Sequence, residues 1–426
     1  MTSRSGLSSS STLNDWLAWQ ERSHTSEIDL GLARVNLVYQ RLCKDQQGSI
    51  FTITVAGTNG KGSSVALLET ILLAAGYSVG VYSTPHLHDY NERIRINGAA
   101  VESDLITTSF TAIDQARLNV SLSYFEFGTL AALDIFAKNT VDIQILEVGL
   151  GGRLDAVNIV DADAALITSI ALDHMDWLGS DISSIAFEKA GIFRPQQKAV
   201  CGDSTVPLTL INHAQTLQTD LICAGTDFDV LIAESSWELI ADHRLAGNYP
   251  MPALKGQHQV QNAAAVITLL AHIGSQLAIS KKHINDGLAN VSLQGRLQLI
   301  AGQPAILLDV AHNPEAAQVL ANYVSEQNDY GDIRVVFSIL ADKDLAGVVL
   351  PFQSKVKKWY IAPIETNRAQ PVTTINNAIL RGSAADCEIF ESISLAFQTA
   401  RAEAATNDLI VCFGSFYVVE ACLETL

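Results

Sequence analysis

Basic residues are scarce in this chain: 27 Lys and Arg stand against 45 Asp and Glu, a formal net charge of -18 over 426 residues. A surface of that sign repels nucleic-acid phosphates and anionic lipid, so nucleic acid is not expected as a partner and any anionic ligand must be held by local donors. Long hydrophobic runs are missing too. The polar, serine-rich start through Ser11 lacks the apolar core of a signal segment, and no apolar run reaches the length of a membrane span. Cys43, Cys201, Cys223, Cys387, Cys412 and Cys422 are scattered without a C-x-x-C pair, the pattern of reduced, buried thiols and not of a disulfide framework or zinc site. The expectation is a cytoplasmic protein with no membrane attachment, acting as a monomer, whose residues 1–11 form a disordered tail.

Three catalytic signatures are also absent. No G-x-S-x-G elbow, no nucleophilic-cysteine signature and no dinucleotide-binding G-x-G-x-x-G with a downstream acid stands in a suitable setting. The reaction therefore need not pass through a covalent enzyme intermediate. Hydrophobic residues make up 48% of the chain, enough to fill the two cores that this length implies.

What is present is a strand, a glycine loop and a helix. The β-branched run Ile50-Phe51-Thr52-Ile53-Thr54 leads into Val55-Ala56-Gly57-Thr58-Asn59-Gly60-Lys61-Gly62-Ser63-Ser64, and a helical pattern follows from Val65 to Leu73. Glycines let backbone N–H groups approach phosphate oxygens, the helix N-terminus adds a partial positive charge, and Lys61 neutralises terminal phosphates. The spacing departs from G-x-x-x-x-G-K-[ST], which needs glycine at Val55 and a hydroxyl at Gly62.

The rest of the chain continues the alternation. Short buried-type strands are expected at 79–82, 142–146 and 164–170, with helices over 103–117, 127–138 and 181–190. Residues 198–245 read as short strands and helices of a small accessory sheet. A second α/β sheet follows Gly295-Arg296, its strands at 297–300, 305–309, 333–338, 357–361 and 408–412. The fold class is α/β: a P-loop ATPase-type domain over 12–295, with a mainly parallel sheet and a small accessory sheet, then a smaller Rossmann-like domain over 296–426.

Several stretches, taken in order, carry a resemblance. Beside Gly57-Thr58-Asn59-Gly60-Lys61-Gly62-Ser63 stand Tyr82-Ser83-Thr84-Pro85-His86-Leu87, Glu147-Val148-Gly149-Leu150-Gly151-Gly152-Arg153-Leu154-Asp155, Asp173-His174, Glu188-Lys189-Ala190-Gly191-Ile192 and Asp309-Val310-Ala311-His312-Asn313-Pro314. Together they resemble the folate branch of the Mur ligase superfamily, the folylpolyglutamate synthases and bifunctional dihydrofolate synthases. The resemblance implies an ATP-dependent ligase that adds L-glutamate to dihydropteroate and to reduced folates through an acyl phosphate.

It also implies roles. The loop Gly57 to Ser63 holds ATP, with Asn262 at the adenine and Arg296, Asp309 and His312 from the C-terminal domain, which is also expected to bind glutamate. Thr84, where the family usually has serine, joins Glu147 and His174 on Mg²⁺, as one or two ions. Lys61, His174 and Lys189 are the catalytic candidates, and Lys189 is the position that related ligases carbamylate; a plain salt-bridging lysine is the alternative. Ile28, Asp29, Leu30, Ser123, Tyr124, Phe125, Leu154 and Asp155 are implied for the pterin, whose flat ring suits aromatic faces and whose amino donors suit a carboxylate. A turn and helix cap is the plainer reading of 24–32, and hydrophobic core that of the aromatics. A peptidoglycan ligase would share the loop, the metal ligands and the acyl phosphate, but the Ile28-Asp29-Leu30 segment is folate-like. A non-catalytic nucleotide-binding protein would bind ATP without forming an amide.

Overall fold

The computed structural model describes residues 6–8, 10–24, 29–43, 50–327, 329–381 and 385–426. The chain divides into two units, one built from Met1–Ile170, Leu178–Ala253 and Val260–Val291, the other from Ala171–Trp177, Leu254–Gln259 and Ser292–Leu426. The expected change of domain at Gly295-Arg296 thus lies close to the start of the second unit's long segment. The two short excursions of the second unit leave no mark in the linear pattern.

The first unit carries β1 (Phe51–Ala56), β2 (Val79–Tyr82), β3 (Ile94–Ile96), β4 (Ala99–Ala100), β5 (Ile143–Glu147), β6 (Ala164–Ile167), β7 (Lys198–Cys201) and β8 (Asp220–Cys223). They form one sheet in the order β4-β3-β2-β5-β1-β6-β7-β8. From β2 to β8 every pairing is parallel, and β3 and β4 add an antiparallel edge. Strands covered on both faces read as continuous apolar runs, and Ile53, Val55, Ile145, Leu146, Leu166 and Ile167 are indeed fully buried. Because β1, β2, β5 and β6 run the same way, their carboxyl ends bring Gly57, Ser83-Thr84, Val148-Gly149 and Thr168-Ser169 to one edge of the sheet, where ligands of such sheets collect.

One expectation is corrected here. β7 and β8 extend the main sheet, and the accessory sheet is confined to β9 (Phe228–Ile232), β10 (Ser236–Ala241) and β11 (Gly247–Pro250), antiparallel in the order β11-β10-β9. The reason is burial: Ala199, Val200 and Cys201 are fully buried, whereas β9 alternates exposed residues with ones buried or partly buried, as a half-covered strand does.

Two N-terminal helices cover the sheet's other elements. Thr12 and Asp15 form a capping box that starts the helix Leu13–Ser23. Buried Trp16 meets Trp19 edge-on at 5.9 Å and Phe110 at 5.8 Å. The residues expected as a disordered tail are in part held, for Ser8 O accepts from Trp16 Nε1 at 3.1 Å and Leu7 packs on the core. The helix Lys61–Ala74 starts at the loop lysine itself and packs closely on Lys281–Asn290. A Cβ on Gly287 would lie 2.3 Å from Ile71 Cγ1 and 3.0 Å from its backbone, so glycine is what permits that approach.

The second unit contains β12 (Gln298–Ile300), β13 (Ala305–Leu308), β14 (Ile333–Phe337), β15 (Val356–Ile361), β16 (Asp386–Ile389) and β17 (Leu409–Phe413), in the order β12-β13-β17-β14-β15-β16. All pairings but β12 with β13 are parallel. Phe337, Phe352, Trp359 and Phe413 fill its core, Phe352 and Phe413 with ring centroids 4.6 Å apart. All six cysteines are free, and among the described residues no helix is long and apolar enough to cross a membrane.

Candidate active site

In the first unit the glycine loop is fastened to the end of β6. Thr58 N–H donates to Ser169 O at 2.8 Å, Asn59 N–H to Ser169 Oγ at 3.0 Å, and Thr168 Oγ1 to Asn59 O at 2.6 Å. Gly57 has φ +149° and a Cβ there would stand 1.9 Å from Thr168 Oγ1, so no other residue fits. Gly60, at φ +83°, is the N-cap of the helix Lys61–Ala74, whose first N–H groups have no partner within the helix and suit an anion. Lys61 Nζ curls back to donate to Gly57 O at 3.0 Å and Thr58 O at 3.1 Å, while Gly62 and Ser63 complete the first turn. Asn262 is brought to this loop: its Oδ1 lies 2.5 Å from where a Cβ on Gly60 would be.

Beside the loop, Thr84 follows β2 and Glu147 ends β5. Thr84 N–H donates to Glu147 Oε2 at 3.3 Å, and Glu147 is 4% exposed. A buried carboxylate and a hydroxyl are hard oxygen donors of the kind Mg²⁺ accepts, so these two residues fit a divalent cation. Among the described residues no group of three His, Cys, Asp or Glu is gathered for a metal.

The acceptor candidates come together from three segments. Leu154 O accepts from Gly31 N–H at 3.3 Å, which seats Leu30-Gly31 on the glycine-rich turn. Ser123 and Glu126 form a capping box at the start of the helix Tyr124–Lys138, so the expected helix start at Phe127 moves back to Tyr124. The Phe125 ring reaches Gly149, 2.9 Å from the position of its missing Cβ. Ile28 lies outside the described residues. Asp155, expected at the pterin, is fully buried and accepts from the N–H groups of Gly149 (3.0 Å), Leu150 (2.9 Å) and Val157 (3.0 Å). Burial pushes its pKa up to about 6 against those three bonds.

Sequence reading missed Arg34 and the tie it makes to the Glu126 carboxylate. Arg34 Nη1 donates to Asp29 Oδ2 at 2.6 Å and its Nε to Glu126 Oε2 at 2.9 Å, which joins Asp29 to the Ser123 cap. His24 Nε2 also stands 3.0 Å from Asp29 Oδ2. Arg34 and Glu126 sit far apart in the chain, so their pairing leaves no local signal.

Lys189 is 4% exposed near the end of the helix Ile182–Ala190. That helix abuts the glycine-rich turn: Arg153 N–H donates to Glu188 O at 2.8 Å, and Arg153 pairs with the Glu188 carboxylate at 2.8 Å. A buried amine must be paired or neutralised, a setting that fits either reading of Lys189.

In the second unit, Asp309 repeats the part of Asp155. It accepts from Leu297 N–H and Ala311 N–H, each at 2.8 Å, and burial raises its pKa. Arg296 lies 5.3 Å over the Phe416 ring. His174, at φ +51°, and Asp173 meet Lys343, a residue not singled out from sequence: Lys343 Nζ is 2.7 Å from Asp173 Oδ1 and 3.3 Å from His174 Nε2. His312 Nε2 lies 3.7 Å from Asp173 Oδ2, and Asn313 Nδ2 3.4 Å from the same oxygen. Burial opposes a charge on Asp173, but His312, His174 and Lys343 outweigh it and hold its carboxyl well below the usual range.

The Mur ligase middle domain family matches residues 55–270, and the Mur ligase glutamate ligase domain family matches 295–416. The dihydrofolate synthase/folylpolyglutamate synthase of Escherichia coli is 42% identical over 416 residues, covering 98% of this chain and 96% of that protein. A solved structure of E. coli FolC in complex with DHPP and ADP superposes with a TM-score of 0.92 at 41% identity, over 98% of each chain. A bifunctional folylpolyglutamate synthase/dihydrofolate synthase with Mn, AMPPNP and L-glutamate bound gives 0.89 at 39%, also over 98% of each. The two α/β units and the lysine-bearing glycine loop are thus those of an ATP-dependent Mur-type ligase. Within that family the chain belongs to the dihydrofolate synthase/folylpolyglutamate synthases.

The Lys343–Asp173 pair is testable. Removing one partner of a buried ion pair leaves an uncompensated charge, so Lys343→Met is expected to destabilise the protein by roughly 3–5 kcal/mol at neutral pH. Adding Asp173→Asn should recover part of that loss in urea melts, because the stranded carboxylate is then gone. Equal midpoints for parent and Lys343→Met would show that the pair contributes no stability.

Proposed function

We propose that this enzyme joins L-glutamate to dihydropteroate and to reduced folates already carrying glutamate, at the expense of ATP. The observation that carries the reading is the glycine loop, headed by Lys61 and held against Asn262, on the same sheet edge as Thr84 and Glu147. A carboxylate oxygen of the acceptor attacks the γ-phosphorus of ATP, the bond to the β-phosphate oxygen breaks, and ADP leaves. The amino nitrogen of glutamate then attacks the acyl carbon, loses a proton, and expels inorganic phosphate, which carries off the acceptor's oxygen.

Lys61 and the N–H groups that open its helix stabilise the charge on the transferring phosphoryl group. Thr84 and Glu147 would hold Mg²⁺, which when bound neutralises phosphate charge. Tyr124 and Phe125 flank the pterin, with Asp29 and Leu30 from the N-terminal segment. Asp155 supports that pocket by fixing the Gly149-Leu150 turn. In support of the glutamate and nucleotide, the solved relatives hold L-glutamate, AMPPNP or ADP, and the second unit falls in the glutamate ligase domain family.

The direct test is ADP formation with ATP, L-glutamate and dihydropteroate, or a reduced monoglutamylated folate. Lys61→Ala should lower kcat at least ~100-fold, the scale of losing one donor to transferring charge, with thermal melting unchanged. Turnover near that of the parent rejects the phosphate role, and no ADP from the parent with either acceptor rejects the reading.

Lys189 is read as carbamylated: the neutral amine adds to CO₂, losing a proton, and the resulting carbamate replaces a cation with a carboxylate-like ligand. Lys189→Ala should then be inactive and be rescued in part by acetate or propionate filling the vacated space. Full activity of the variant without additive would mean that the lysine is structural.

A further inference from the structure

Arg93 differs from five other arginines of its unit. Arg34, Arg95, Arg117, Arg153 and Arg194 each meet a carboxylate within ion-pair distance. Among the described residues none pairs with Arg93, whose Nε donates to His86 Nδ1 at 2.7 Å. Its guanidinium carbon lies 5.4 Å from the centroids of both the Tyr90 and the Tyr124 rings, so the planar cation is gripped by two aromatic faces. Tyr90 is itself buried and fixed edge-on against Tyr124 (5.6 Å), Phe110 (6.1 Å) and His86 (5.9 Å). The backbone is fixed as well, for Arg93 O accepts from Ser83 N–H at 2.9 Å. A cation is thus held rigid, its Nη donors without a hydrogen-bond partner among the described residues, one residue's bond away from the Thr84 turn and against Tyr124.

We propose that Arg93 binds the carboxylate end of an aryl-carboxylate acceptor whose ring system lies along Tyr124 and Phe125. Aromatic walls with a fork of N–H donors match a flat molecule ending in a carboxylate, since a guanidinium meets a carboxylate through two parallel bonds. The assignment rests on the ligase reading and names the group that orients the acceptor in it. Nucleotide phosphate is the other anion of this unit, but its donors are the loop amides and Lys61 at the end of β1, whereas Arg93 is tied to the end of β2.

The test is a binding cycle with the full chain and AMPPNP, using dihydropteroate and its methyl ester as probes in calorimetric titrations. The parent should bind the acid at least ~10-fold more tightly than the ester, the range of a charge-assisted hydrogen bond. Arg93→Gln should lose that preference by weakening the acid alone, and Arg93→Lys, which keeps the cation, should retain part of it. In turnover, KM for dihydropteroate should rise while KM for ATP stays unchanged. Equal affinity of the parent for acid and ester overturns the assignment whether or not either variant folds. Equal losses on acid and ester in Arg93→Gln overturn it in favour of a prop for Tyr124, and a raised KM for ATP overturns it in favour of nucleotide phosphate. Failure of the ligase reading shows separately, as no ADP from the parent with dihydropteroate, and takes this assignment with it.

Discussion

Buried carboxylates that accept backbone N–H groups hold the functional turns in place. Asp155 satisfies Gly149, Leu150 and Val157, and Asp309 satisfies Leu297 and Ala311. A glycine-rich turn at the end of a parallel strand leaves N–H groups pointing inward with no ladder to join, and each would cost free energy if buried without an acceptor. One carboxylate answers two or three of them at once. The cost of burying the charge shows in the raised pKa of both groups. The same turn supports the Phe125 ring at Gly149 and the seat of Gly31 on Leu154, so the packing of both depends on one side chain.

The glycine loop uses a different device. Its fit to the end of β6 comes from Thr168 and Ser169, which occupy its own carbonyls and two of its N–H groups. Gly57 and Gly60 are required because Thr168 and Asn262 fill the space that side chains would take. A loop so fastened needs little reorganisation to receive an anion, and preorganised donors are what phosphoryl transfer demands of a protein. Lys61 folds back onto the loop, resting on Gly57 O and Thr58 O.

Much of this was legible in sequence because strand ends carry compact local signals. The strand, loop and helix around Gly57, the Ser83-Thr84 turn after β2 and Glu147 at the end of β5 all fall where short-range pattern put them. Boundaries slipped where local propensity misleads. Gly62 obscures a helix that in fact begins at Lys61, and Tyr124-Phe125-Glu126 reads as a loop until the Ser123 cap is seen. β7 and β8 are only four residues each, so no period shows which sheet they join. Arg34 with Glu126, and Lys343 with Asp173, are pairs between distant segments, invisible until the fold brings them together. Asp155 and Asp309 were singled out by resemblance, but their bonding to backbone N–H groups is a fact of geometry.

The central claim is that the acceptor carboxylate itself takes the γ-phosphoryl group and loses an oxygen to phosphate. Dihydropteroate labelled with ¹⁸O in its carboxylate, turned over with ATP and L-glutamate, tests this by mass spectrometry of the products. The account predicts one ¹⁸O in each inorganic phosphate released and one retained in the new amide. Unlabelled phosphate formed alongside the amide product would contradict it.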